Sequence, residues 1–503
     1  MFDIIINMVI IYKNQKGGLY VSGSTCCDLT RKITFNQKGC YNLQRKIRRN
    51  MVKRVIMSLG LICSLWASLL PGMTSAEASE TPAIQTVMVS DISYSGNSKL
   101  SNTQVNWLLP ELKKGSVNVA TLSQQIQIAN DSGAAKLSVK FVVDKSGQTT
   151  AVVTVKELPN EHTLFRVDNT GNEYTGDYRS SLTYVNTNTS NHADMLGVAY
   201  VTSPNHISDV TQAALFYRQI LPKAGDSLYF SYSYSDVNMG QIANFGSLSM
   251  NATGRGHSYG LHYQHNLNYS VNKRNWLDFG VDYKDYNNAQ NFAINGTPIL
   301  QQGTDFAVTT LGLTYGGSIR DVSKVTSYSL GYVTNANGNE DKYNNYRTGS
   351  DKQFGLFKAG INHQYKMSGA WIGNVRLNGQ FTRDNLLTTE QLGAGGMYSV
   401  RGFDERAISA DNGYIANIEF YTPEIAKGQR FVLFSDIGHL YNNHANIGEL
   451  KNDTIASVGA GYRYTDTTKG WSGSLDYAYV IDDIENKNDQ DSGKWHVSVS
   501  KKF

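Results

Sequence analysis

From about residue 161 to the C-terminus this chain changes polarity every second residue, in runs too long for an ordinary soluble sheet. Leu228, Phe230, Tyr232 and Tyr234 alternate with Tyr229, Ser231, Ser233 and Ser235. Trp471, Gly473, Leu475, Tyr477, Tyr479 and Ile481 alternate with Ser472, Ser474, Asp476, Ala478 and Val480. Side chains of a strand point to opposite faces in turn, so each run has one greasy and one wet side. Soluble strands average about five or six residues, whereas a tilted membrane strand needs about 9–11. Many of these runs reach ten or more, which selects a membrane β-barrel. Composition agrees: charged residues make up 17% of the chain, below the roughly 25% of soluble proteins. The polarity comes instead from Ser, Thr, Asn, Tyr and Gly, which suit a lumen-facing side.

Sixteen candidate strands begin near residues 162, 177, 193, 209, 226, 255, 274, 305, 324, 353, 371, 412, 429, 453, 470 and 494. Connections after even-numbered strands are short, such as Met367 to Trp371 and Thr465 to Gly470. Several after odd-numbered strands are long: 237–254, 288–304, 334–352 and 385–411. Short turns on the periplasmic side and long outer loops fit a bacterial outer-membrane barrel. An even count returns the C-terminus to the side on which the chain entered.

The front of the chain reads differently. Lys53 and Arg54 precede an apolar run from Val55 to Leu70, broken by Pro71 and Gly72 and followed by Ala76-Glu77-Ala78. That is the layout of a secretory leader over 51–78. A membrane anchor would want about 20 apolar residues. Residues 1–50 hold Cys26, Cys27, Cys40 and a basic stretch from Arg45 to Arg49 without periodicity, and read as an overlong gene start ahead of Met51. With Cys63 in the leader, all four cysteines fall before residue 79, as suits a chain kept unfolded in an oxidising compartment. Residues 1–78 also carry 11 of the 46 Lys+Arg and 3 of the 42 Asp+Glu. The remainder therefore holds 35 against 39, a net of −4, so the overall basicity gives no reason to expect a nucleic-acid partner.

Between the leader and the barrel, residues 86–158 read as one small α+β domain of order β-α-α-β-β. Val87, Val89, Ile92 and Tyr94 form a strand ending at Ser95-Gly96-Asn97. Two helical patterns follow, one with Val105, Leu108 and Leu109, the other with Leu122, Ile126 and Ala129 on a single face. Leu137, Val139, Phe141 and Val143, a turn at Ser146-Gly147, and Val153 and Val155 make a hairpin. This order, closed by Val-Thr-Val-Lys-Glu, resembles a POTRA domain. Such modules sit directly before a barrel and bind client chains, in part by adding a strand to a sheet edge. The expected fold is thus mainly β, a 16-stranded antiparallel transmembrane barrel over 161–503 preceded by one POTRA-like domain.

The most specific stretch runs from Leu392 to Glu424. It contains Gly395-Gly396-Met397-Tyr398-Ser399-Val400-Arg401-Gly402-Phe403-Asp404-Glu405, then Asp411-Asn412-Gly413, Glu419 and Pro423; Phe434-Ser435-Asp436-Ile437-Gly438 comes later. Phe434, Asp436 and Gly438 share one strand face. If that face is luminal, Asp436 is a natural bidentate partner for Arg401, which is costly to bury unpaired. A solvated Arg401 with Asp436 at the rim is the plainer alternative. The two stretches look like the Val-Arg-Gly-Phe loop and Phe-x-Asp-x-Gly strand of the outer-membrane POTRA–barrel transporters. Together with Val167-Asp168-Asn169-Thr170-Gly171 and Tyr174-Thr175-Gly176, they are most similar to the two-partner secretion transporters of haemolysin-activator and filamentous-haemagglutinin type. The resemblance covers roughly 86–503. It implies a loop motif (Val400, Arg401, Gly402, Phe403) folded into the barrel onto a partner motif (Phe434, Asp436, Gly438). The chain ends with Trp495, Val497, Val499 and Phe503 on one face, which resembles the C-terminal signal for barrel insertion, with Lys501 a departure on that face.

What the resemblance implies is an outer-membrane transporter, its POTRA-like domain in the periplasm, that secretes and activates a large exoprotein without nucleotide. Its partners would be the unfolded exoprotein, outer-membrane lipid and the barrel-assembly machinery during biogenesis; a monomer without cofactor or metal is expected. A barrel-assembly factor and a passive porin are the competing readings. The family pattern usually includes a plug helix and two POTRA domains. Here about eight residues separate leader and first strand, so the plug is expected to be absent. His262 and His265, three apart on a strand, face opposite ways and make a poor metal pair, and no nucleophile elbow or phosphate loop occurs.

Overall fold

A computed structural model describes residues 86–172, 175–222, 225–245, 248–294, 297–303, 305–484 and 492–503. The leader and the stretch ahead of it lie outside these residues.

The N-terminal domain begins with two short strands, β1 (Thr86–Met88) and β2 (Asp91–Ser95), where one continuous strand was expected. The chain changes partner between them. β1 pairs with β3 (Ser116–Asn118), whereas β2 runs parallel to β5 (Thr149–Glu157), which also pairs with β4 (Ala135–Val143). Helix α1 (Asn102–Leu108) starts from a Ser101–Gln104 capping box, and Pro110 follows its C-cap Leu109. Helix α2 (Val119–Asp131) buries Leu122, Gln125, Ile128 and Ala129, a stripe one step round from the expected Leu122, Ile126 and Ala129. Gln125 is admitted to the core because its side-chain oxygen accepts the Glu111 amide at 3.1 Å. Val153 and Val155 are buried as their alternation predicts, but Val143 at the far end of β4 is exposed.

Sixteen strands close the barrel: β6 (Glu161–Asp168), β7 (Arg179–Asn186), β8 (Met195–Thr202), β9 (Val210–Ile220), β10 (Ser227–Phe245), β11 (Leu248–Tyr269), β12 (Lys273–Ile294), β14 (Phe306–Arg320), β15 (Lys324–Asn337), β16 (Gly355–Lys366), β17 (Ile372–Thr382), β20 (Asn412–Tyr421), β21 (Gln429–Tyr441), β22 (Asn452–Asp466), β23 (Trp471–Asp482) and β24 (Gly493–Lys502). Every neighbouring pair is antiparallel, and β24 meets β6 from Ser498↔Asp168 to Lys502↔Leu164. A short β13 (Thr297–Gly303) adds to the end of β12, and β18 (Leu392–Ala394) pairs with β19 (Ile408–Ala410) as a separate two-stranded sheet that is not part of the wall. Closure leaves no unpaired edge in lipid, which is what permits strands to span a bilayer.

Two of the expected long loops are largely strand. β10 and β11 run on to Phe245 and from Leu248, and β12 continues to Ile294. Alternation is imposed by lipid; once a hairpin rises beyond the bilayer its ladder persists without that signal. The 334–352 connection contains helix α3 (Glu340–Tyr346), capped by Asn339 and acidic in its first turn.

The N-terminal domain is seated on the end of the barrel where β6 begins and β24 ends, here the near end. Its apolar core takes in Ala193 and Ile220 from near-end turns. The Trp107 indole donates to the Ile220 carbonyl at 3.1 Å, and Asp131 pairs with Arg274 at 2.7 Å.

Candidate functional site

The long connection between β17 and β20 does not stand out in solvent. It turns back against the wall at β20 to β23, and register explains why. On β21, Leu433 is exposed on the outer face, while Phe434, Asp436 and Gly438 have the opposite parity and face the lumen. Val400, Phe403, Ile408 and Ala410 from the connection pack on lumen-facing Ile415, Leu440, Ile455 and Val480. Each of these buried side chains larger than alanine contributes about 1.5–3 kcal/mol. The loop's tight course needs left-handed backbone at Gly395 (φ +115°), Gly396 (φ +102°) and Gly402 (φ +95°).

Arg401 is the polar anchor. Its side chain is 4% exposed and Asp436 is fully buried. Nε donates to Asp436 Oδ2 at 2.7 Å and Nη2 to Oδ1 at 2.9 Å, a parallel fork. The Arg401 amide donates to the same carboxylate at 3.2 Å. Nη1 meets Glu419 at 2.9 Å and Asp476 at 3.4 Å, and the guanidinium carbon lies 3.5 Å from the Phe434 ring centre. Burial works against this charge, yet Asp436, Glu419 and Asp476 outweigh it and hold the proton more firmly than on an ordinary arginine. Asp436 is completed by the Asn417 amide at 2.8 Å, which also donates to the Ser399 carbonyl at 2.6 Å.

Each part of the partner motif has a visible use. Phe434 is the platform under Arg401, Asp436 is the acceptor, and a side chain at Gly438 would press on Ala394 and Val400 of the loop. Neighbouring glycines make the room: a side chain at Gly459 would overlap the Phe434 ring, and one at Gly461 the Asp476 carboxylate. β24 holds the loop from the other side. His496 Nε2 accepts the Gly402 amide at 2.9 Å, and Lys494 pairs with Asp404 at 2.5 Å. The loop tip reaches Arg166 on β6, whose guanidinium lies 5.2 Å from the Tyr398 ring centre. Beneath the tip is a polar cavity of about 410 Å³, lined by Arg376, Arg463, Glu419 and Asp476 among others.

Sequence reasoning had singled out Arg401 and Asp436 but missed Asp476, Arg463, Asn417 and His496 as parts of one cluster. The signal available was parity, since all four are lumen-facing positions of β20, β22, β23 and β24. Trp495, Val497, Val499 and Phe503 are all exposed on the lipid side. Lys501, among them, turns its ammonium over the Trp471 and Phe503 rings, 5.2 and 5.7 Å from their centres. His262 faces the lumen between Asp278 (2.8 Å) and Asp282 (3.3 Å), and His265 meets Asp226 at 3.0 Å. Among the described residues no group of His, Cys, Asp and Glu converges as a metal site.

Comparison with known proteins matches residues 147–464 to the family described as haemolysin secretion/activation protein ShlB/FhaC/HecB. The heme/hemopexin transporter protein HuxB of Haemophilus influenzae strain 86-028NP is 23% identical over 424 residues, covering 81% of this chain and 70% of its own. Among solved structures, CdiB from Escherichia coli superposes with a TM-score of 0.68 at 19% identity, covering 82% of this chain and 76% of that one. CdiB from Acinetobacter baumannii gives 0.65 at 16%, covering 83% and 74%. BamA from Haemophilus ducreyi lacking POTRA domains 1–3 gives 0.53 at 15%, covering 83% and 85%. These structural likenesses speak to fold.

Proposed function

Since this chain belongs to the haemolysin secretion/activation family of two-partner secretion transporters, we propose that its exoprotein crosses through the lumen once the 383–411 loop is displaced. The protein is an outer-membrane β-barrel transporter that secretes an exoprotein; its family consists of transporters. The loop lodged in the lumen by Arg401 is the observation that carries the proposed path. A loop held inside the lumen by reversible polar contacts suits a channel that must stay closed until a client arrives.

In this reading the near end faces the periplasm and the far end the outside. Residues 51–78 act as a cleaved leader, 86–158 as the periplasmic capture domain and 161–503 as the barrel. The client's N-terminal region adds to the capture domain and passes the polar cavity under the loop. Its folding outside the cell then biases transit without nucleotide. Trp495, Val497, Val499 and Phe503 serve recognition by the barrel-assembly machinery, and the transporter works as a monomer with no catalytic residue, cofactor or metal. The assembly-factor alternative has weaker support, because the family model that matches residues 147–464 is one of haemolysin secretion/activation proteins.

Photocrosslinking tests the path. The exoprotein that disappears from the medium when this protein is removed would be fused to a tightly folded domain to stall it in transit. Crosslinkers at lumen-facing Ser474 or Ser498 should capture it, and one at lipid-facing Leu475 should not. Capture from Leu475 alone would place the client outside the lumen.

A further inference from the structure

The far end of the barrel holds a second buried cation that nothing in the Arg401 site explains. Arg347, 2% exposed, stands just after helix α3 in the loop between β15 and β16. Its Nη1 donates to Asp411 at 2.8 Å and to the Leu386 carbonyl at 2.5 Å, both in the 383–411 loop. Its Nε and Nη2 fork onto Glu449 at 2.8 and 2.9 Å, and Nη2 also reaches the His444 carbonyl at 3.3 Å. One guanidinium thus ties together three far-end loops, 338–354, 383–411 and 442–451.

One helical turn before it, Tyr343 is fully buried in an apolar cluster with Phe306, Val308, Leu356, Leu386 and Leu387. Phe306, Val308 and Leu356 sit at strand positions of lumen parity, since Leu311, Leu313 and Phe357, of the other parity, are exposed to lipid. An apolar patch on the lumen side of the wall requires a cover. The cover is Tyr343 and the two leucines. Helix α3 has seven residues, too few to be stable alone, so Tyr343 and Arg347 hold it in place. The loop pairs with 383–411 through single bonds rather than a ladder, including the Asp351 amide to the Asn385 carbonyl at 2.9 Å.

We propose that loop 338–354 is a latch on the outer mouth, that Arg347 is the positioning residue keeping it shut, and that the client leaves only after this loop parts from 383–411 and 442–451. The inference rests on the transport reading above and adds a second barrier, outside the Arg401 site.

Two measurements on the full-length protein test it. In planar bilayers Arg347→Ala should open the channel more often and pass severalfold more current than wild type, with Glu449→Gln intermediate and Arg347→Lys partly restored. Heat-modifiable migration on gels checks that each barrel is folded; wild-type conductance in folded Arg347→Ala and Glu449→Gln overturns the latch. Second, an Asp351→Cys, Asn385→Cys pair should lose exoprotein release when oxidised and regain it on reduction, while either single substitution secretes normally. Full release from the oxidised pair also overturns it. Failure of wild type to release any exoprotein would instead sink the transport reading, and the conductance result would still decide the latch.

Discussion

Arg401 sits among three carboxylates, Asp436, Glu419 and Asp476. Arg401→Ala leaves Asp436 and Glu419 buried without their cation, a loss of about 3–5 kcal/mol for a broken buried pair. The loop is then expected to leave the wall, so purified Arg401→Ala should show higher conductance and lower thermal stability than wild type. Arg401→Lys keeps the charge but not the fork onto Asp436, and should fall between. A second prediction concerns Glu157, whose carboxylate receives the amides of Ser98, Lys99 and Leu100 at 2.9, 2.6 and 3.0 Å and the Ser98 hydroxyl. Burial pushes this acid upward, but those four donors outweigh it and bring it from 4.5 down to about 2. A depressed carboxyl stabilises fully above its unfolded value and loses that contribution as pH falls through the folded one. Hydrogen exchange at the 98–100 amides of the full chain should therefore be pH-independent in excess of the intrinsic rate above about 4.5 and lose protection between there and about 2. Glu157→Gln should remove that acid transition; its persistence in the variant would assign it to another group.

The loop and the strands that carry it make a different kind of demand. Gly396 has φ +102°, and a methyl there would run into the Glu405 carboxylate, which itself holds the Met397 amide at 2.8 Å. Gly396→Ala should cost about 1–3 kcal/mol of local strain. It should speed hydrogen exchange at Gly396 and Ser399, whose amides now donate to Val400 and Gly396 carbonyls, without unfolding the barrel. The same elements show what could be read in advance. Period two located all sixteen membrane strands, including β6, β7 and β8 with only eight residues each, because lipid enforces that pattern, and it ceased to help where β10 to β12 continue into water. The shared face of Phe434, Asp436 and Gly438 made Asp436 a natural acceptor but left a solvated Arg401 equally open; it was the resemblance of the two motifs that implied the pairing, which the contact at 2.7 Å now displays. Asp476 and His496 also have lumen parity, but parity does not tell which loop atom a lumen side chain meets; that depends on how adjacent strands bring Gly459 and Gly461 beside Phe434 and Asp476. Helix α3 carried its own cue in Asn339-Glu340-Asp341, too brief to outweigh the loop around it.

At the largest scale the barrel is a closed sheet with the N-terminal domain fixed to one end and the 383–411 loop held inside the lumen by polar contacts. The N-terminal domain shares its core with near-end turns, so the two should move as one body. Asp131→Ala, which removes the 2.7 Å pair with Arg274, should loosen that junction and slow secretion while leaving channel conductance unchanged. What distinguishes a dedicated secretion channel from an assembly factor or a porin is which proteins depend on it. Quantitative proteomics of the medium, cell surface and outer membrane, with and without this protein, reads that dependence directly. Loss of one or two large exoproteins, restored by wild type, with the other outer-membrane barrels at constant level, is the predicted result. A broad fall in outer-membrane barrels, or an unchanged set of exoproteins, would contradict it.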